Sequence, residues 1–184
     1  EMNRIEDDQL ASAYKASADL SRYKPILDRM RAMKPHQLSD ELEKFLHDQS
    51  VVGATAWNRL FDETTAALEF EVDGEVLNLE STLNLLTDHD RDRREKGARA
   101  VAEVFKDHLP TYARITNTLA KEKEIEDRWR KLPTPQSGRH LANDVEPEVV
   151  QALRDAVVAA YPKLSHRYYA LKAKWLGLET LEVW

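Results

Sequence analysis

Scarcity of glycine and proline constrains this sequence more than any other feature. The 184 residues include 5 glycines and 7 prolines, about half the share that globular proteins usually carry. These two residue types supply most tight turns, and a glycine-punctuated β-fold needs many of them. The sequence therefore favours helices, and we expect a mainly α-helical fold.

Apolar residues recur at helical spacing along most of the chain. Between about Asp90 and Lys131 the pattern predicts helix, with Pro110 at a boundary or kink because proline lacks a backbone donor. Further helices are predicted at about residues 23–33, after a Ser39 cap, at about 55–70, from Pro147, and from about 164 to a stop at Gly177. Residues 132–146 hold two prolines and a glycine and are predicted to form a loop.

At residues 70–79 the pattern changes from helical spacing to alternation. Asp73 and Gly74 separate two short alternating runs, and an Asp-Gly pair favours a two-residue type I′ turn. We expect one short β-hairpin near these residues. Because two strands alone are marginally stable, the hairpin should pack against helices.

Net charge and cysteine content narrow the function classes. The formal net charge is −6, from 27 basic and 33 acidic residues, so a phosphate backbone would be repelled and nucleic acid is not an expected partner. The absence of cysteine excludes disulfides, thiolate zinc sites and a cysteine nucleophile, and it fits a reducing compartment such as the cytoplasm. No apolar run approaches the roughly 18 residues of a membrane span, so no membrane partner is expected.

No sequence motif for catalysis or metal binding occurs in these residues. None of the six histidines forms an HExxH pair, which places two zinc-binding imidazoles and a glutamate on one helix. His36 with Asp40 and His140 with Asp144 have ligand-like spacing, but capping or surface pairing is the better interpretation of both. Glycine-rich phosphate motifs and the GxSxG nucleophile motif are also missing. We predict no catalytic residue and no metal ligand in this chain.

One candidate binding cluster lies in the predicted loop before Pro147. Arg139, His140 and Asn143 offer a cation, an imidazole and an amide that could converge on a peptide. Anchoring of the loop by hydrogen bonds is the favoured interpretation of the two.

A second candidate cluster lies on the last predicted helix. Arg167, Tyr168 and Tyr169 are consecutive, and adjacent helix positions do not share a face. We expect one tyrosine in the core, and the other could lie along a groove, but packing alone is the favoured interpretation.

Long stretches of the sequence resemble bacterial oligoendopeptidase F. They are residues 91–98 (RDRREKGA), 115–123 (ITNTLAKEK), 139–143 (RHLAN) and 166–172 (HRYYALK). Residues 35–39 (PHQLS) and 57–63 (WNRLFDE) resemble the N-terminal domain of the same family. The resemblance covers almost the whole chain in the family's order, which makes it far more specific than a short motif.

The resemblance implies a mostly helical zinc metallopeptidase, similar to the thimet oligopeptidases, that cleaves short peptides inside a deep channel. Residues 1–80 would then be the N-terminal domain, and residues 88–184 the beginning of the peptidase domain. In that family HExxH and a more C-terminal glutamate hold zinc, and nothing here matches them. This piece would bind no zinc, be inactive alone and supply channel wall. The candidate wall residues are Arg139, His140, Asn143, Arg167, Tyr168 and Tyr169.

The partners implied by the resemblance are short peptides and the remainder of the peptidase domain. Apolar residues also crowd residues 175–184, so this tail should pack back on the helices or cause self-association. Composition alone would equally suit a free-standing helical interaction module. A reading frame that continues to HExxH would separate the two hypotheses.

Overall fold

The computed structural model of this protein describes residues 2–184. Across these residues it contains eleven α-helices and one two-stranded sheet. The first five helices are α1 Asp7–Ala16, α2 Ala18–Arg22, α3 Lys24–Arg31, α4 Asp40–Gln49 and α5 Ala54–Ala66. The strands β1 Phe70–Val72 and β2 Glu75–Leu77 follow. The remaining helices are α6 Leu79–Asn84, α7 Arg91–Asp107, α8 Leu109–Trp129, α9 Ser137–Asn143, α10 Pro147–Ala160 and α11 Ser165–Trp175.

Short 3-10 helices complete the described secondary structure, at Met2–Arg4, Lys34–His36 and Leu85–Thr87. The prediction of a mainly α-helical fold with one short hairpin is confirmed. Within residues 2–184, no helix is both long enough and apolar enough to cross a membrane.

The β-hairpin forms where the Asp-Gly pair predicted it. β1 and β2 are antiparallel, with Phe70 opposite Leu77 and Val72 opposite Glu75. Asp73 and Gly74 both have positive φ, 54° and 83°, as a type I′ turn requires at its two central residues.

The predicted boundary at Pro110 is also confirmed. α7 ends at Asp107 and α8 begins at Leu109, so Pro110 is the second residue of α8. In a first helical turn the backbone N–H has no intrahelical acceptor, and proline therefore loses nothing there.

The prediction of a loop across residues 132–146 is wrong for Ser137–Asn143, which form α9. The two prolines of this stretch, Pro133 and Pro135, precede the helix instead of interrupting it. Asp144 then ends α9 with a left-handed φ of 53°. The residues that break helices thus stand on either side of one short helix.

The chain divides into two compact units. The first unit comprises the described residues up to His47 together with Lys123–Asp155, and the second comprises Asp48–Glu122 and Ala156–Trp184. Both units are therefore discontinuous in sequence.

The core of the second unit forms around the hairpin. Phe70 and Val72 on β1 are both buried, and Phe70 is buried completely. They face the same side of the hairpin because alternate strand residues do so. The Phe70 ring lies 6.3 Å from that of Phe105 on α7. Gly97 on α7 is also buried, and a Cβ atom there would lie 2.9 Å from the Leu85 Cβ atom. The hairpin and residues 79–87 thus pack closely against α7.

In the first unit, Arg31 on α3 anchors the N-terminal residues. Its guanidinium is buried and donates to the carbonyl of Ile5 at 2.7 Å, to the carbonyl of Met2, and to the Asp7 carboxylate at 2.5 Å. Lys34 also donates to Asp7, at 2.9 Å. Hydrogen bonds from Lys34 and Arg31 lower the pKa of Asp7 below its ordinary value.

A second polar connection in the first unit joins α4 to the end of α8. The Arg130 guanidinium donates to both Glu43 carboxylate oxygens, at 2.7 and 2.9 Å. His36 Nδ1 donates to the Arg130 carbonyl at 2.9 Å. The Arg130 hydrogen bonds lower the pKa of Glu43, and the same pairing raises the pKa of Arg130. Such a two-pronged arginine–carboxylate pair fixes orientation as well as distance.

Candidate functional site

The first predicted cluster lies on α9, in the first unit. Arg139 and Asn143 are both exposed, and a spacing of four residues puts them on one helix face. His140 is half-buried, and its Nδ1 atom is buried without a hydrogen-bond partner among residues 2–184. Arg29 on α3 donates to the Ala142 carbonyl at 3.3 Å and so ties α9 to its unit. An exposed guanidinium and amide one turn apart could together hold a peptide carboxylate or carbonyl.

The second predicted cluster lies on α11, in the second unit. Arg167 is exposed, and Tyr168 and Tyr169 are 51% and 56% exposed. Their ring centroids lie 5.6 Å apart. The expectation that one tyrosine enters the core is wrong, because the buried residue of α11 is Ala173. Both rings are therefore available for contacts outside this chain.

The histidine–aspartate pair His36 and Asp40, which has ligand-like spacing, is used for other contacts. His36 bonds the Arg130 carbonyl, and Asp40 forms an ion pair with Arg4. Among residues 2–184, no group of three or more histidine, aspartate and glutamate side chains could hold a metal ion. Zinc in a peptidase needs three protein ligands and an open position for water. The described residues therefore do not fit a zinc site.

The structure contains a concave site that the sequence did not predict. It is an open groove of about 630 Å³ in the second unit, between the C-terminal half of α5 and α6. We call it the α5–α6 groove. Its lining residues include the apolar Phe61, Ala66, Leu79 and Leu83 and the acidic Asp62 and Glu80. Its volume lies within the range of small-ligand pockets.

Helical spacing explains why these residues line one groove. Residues 61, 62, 65 and 66 of α5 line it; they form two i, i+4 pairs, and the members of each pair are neighbours on the helix surface. Residues 79, 80, 83 and 84 repeat that spacing on α6. Each helix therefore presents one continuous side to the groove.

Contacts behind the walls hold the α5–α6 groove in shape. On the α5 side, the Phe61 ring meets Tyr112 edge-on at 5.5 Å, and Thr65 Oγ1 lies 3.3 Å from the Tyr112 hydroxyl. On the α6 side, the Asn78 side chain caps the helix by accepting from the Ser81 N–H at 2.8 Å. Thr82 is fully buried and donates to the Asn78 carbonyl at 2.8 Å. The α5 wall thus has support from Tyr112, and the first turn of α6 is capped.

The charges of the α5–α6 groove are all of one sign. Asp62 and Glu80 are exposed, and neither has a hydrogen bond or ion pair to another side chain in the described part of the chain. Every charged residue that lines the groove is acidic. A few other carboxylates of the second unit have cationic partners, among them Asp73 with Lys96 at 2.5 Å and Glu95 with Arg99 at 2.7 Å.

Comparisons of the sequence with known proteins all find oligopeptidases. Residues 1–70 match the family model described as Oligopeptidase F. Group B oligopeptidase PepB of Streptococcus agalactiae serotype III (strain NEM316) is 27% identical over 172 residues, which cover 90% of this chain. Oligopeptidase PepF of Bacillus subtilis (strain 168) is 24% identical over 190 residues, which cover all of it. The chain spans 28% of the length of each of these relatives.

A solved structure supports the fold independently. It is a crystal structure from Chlamydophila abortus whose name describes a peptidase, with a TM-score of 0.81 and 15% identity. The match covers 97% of this chain and 31% of that one. The solved structure supports the fold alone. The family match over residues 1–70 and the two sequence relatives confirm the resemblance drawn from the sequence: this chain is oligoendopeptidase F-like.

Proposed function

We propose that this chain is part of a zinc-dependent oligoendopeptidase that hydrolyses short peptides in an enclosed channel. The observation that carries the proposal is the alignment of 90% and 100% of the chain with two proteins named oligopeptidases. The described residues offer no group that could hold a metal ion. We therefore assign the zinc and the hydrolytic chemistry to a part of the protein outside these 184 residues, and predict the chain to be inactive alone.

The contribution of this chain is channel wall. Two exposed clusters support this assignment: Arg139 and Asn143 beside the half-buried His140 on α9, and Arg167 with two tyrosines on α11. Guanidinium groups bind peptide carboxylates and carbonyls, and tyrosine rings give rigid contact area with a hydroxyl for hydrogen bonding. In the family's domain terms, residues 1–80 are proposed as the N-terminal domain and residues 88–184 as the start of the peptidase domain. The family match over residues 1–70 supports the first assignment.

An exposed apolar face on α11 supports a further partner, the remainder of the peptidase domain. Leu164, Tyr168, Leu171 and Trp175 are all exposed, and their spacing of four, three and four residues puts them on one helix face. Isolated proteins seldom leave such a stripe uncovered. The alternative function, a free-standing helical interaction module, would use this same face for another protein.

The tail beyond α11 is partly attached to its own unit. The Arg99 guanidinium lies over the Trp184 indole at 5.3 Å, whereas Val183 is almost fully exposed. Self-association of the chain through its uncovered apolar residues is part of the proposal. We also place the protein in the cytoplasm, which the absence of cysteine supports.

The test compares the protein expressed from its complete reading frame with the 184-residue chain. The complete protein should cleave an internally quenched short peptide, lose activity with a chelator and regain it with zinc. The chain alone should show no cleavage at any zinc concentration. Hydrolysis by the rigorously purified chain, or a complete protein that cleaves no peptide in the presence of zinc, would overturn the proposal.

A further inference from the structure

We draw no further inference here: the strongest candidate, the open α5–α6 groove with its acidic Asp62 and Glu80, carries none because nothing in the described residues 2–184 shows what covers it.

Discussion

Replacement of Gly97 by alanine should destabilise the second unit, although alanine is the better helix former. In an open helix the change would gain about 1 kcal/mol. At Gly97, however, the added Cβ would lie 2.9 Å from the Leu85 Cβ and 3.3 Å from the Thr82 carbonyl oxygen. Neither atom can be moved by rotating a side chain, so α7 must shift away from residues 82–85. Overpacking of this kind costs about 1–3 kcal/mol, which leaves a net loss of about 1 kcal/mol.

The matched control is Gly138→Ala on α9. There the nearest atom to an added Cβ is Leu132 Cδ1 at 3.6 Å, an ordinary van der Waals distance at the end of a flexible side chain. We expect this variant to be unchanged or stabilised by up to about 1 kcal/mol. Urea unfolding followed by circular dichroism would measure both. For a chain of this size, 1 kcal/mol corresponds to about 2–4 °C in melting temperature. A Gly97→Ala variant more stable than the parent would refute the close-approach argument.

Other predictions concern the turn, acid stability and self-association. Gly74→Val should destabilise the hairpin by about 1 kcal/mol or more, because a β-branched residue resists the φ of 83° there; an unchanged melting temperature would contradict this. Arg130 lowers the pKa of Glu43 below its ordinary value of 4.5, so the stability that this pair contributes is fully present above about pH 4.5 and is lost as the pH falls through the lowered value. Glu43→Gln should therefore reduce the loss of stability between pH 5 and 3, as measured by unfolding at a series of acid pH values. The isolated chain should self-associate reversibly through the α11 face, and Trp175→Ser should weaken this in sedimentation velocity; a strictly monomeric parent chain would refute it.

Local signals in the sequence predicted much of the fold. Asp73-Gly74 predicted the turn and its positive φ angles, and Pro147 marked the first residue of α10. The same kind of reasoning failed at α9, because two prolines in the preceding residues indicated a loop across the whole stretch. Signals that break helices locate a boundary well, but they do not show how far the irregular segment extends.

The candidate sites were harder to predict, since they depend on tertiary packing. Apolar residues recur at helical spacing along α11, but this pattern could not show that they are exposed. The α5–α6 groove requires that the hairpin reverse the chain and bring α6 beside α5. The repeated i, i+1, i+4, i+5 spacing with one carboxylate on each helix was the available signal. It has no meaning until the two helices are known to be neighbours.

The pairing of Arg130 with Glu43 bears on the order in which this protein can fold during synthesis. The partners are separated by 87 residues, and His36 is separated from the Arg130 carbonyl by 94. A ribosome therefore releases residues 36–43 long before their partners exist, and the intervening Asp48–Glu122 segment of the second unit is made in between. Contacts this distant in sequence form late, because the closure of a long loop must precede them. The N-terminal helices must stay soluble through that interval, and their dense charge helps them to do so. Apolar side chains exposed there before Arg130 is made are an aggregation hazard for the nascent chain.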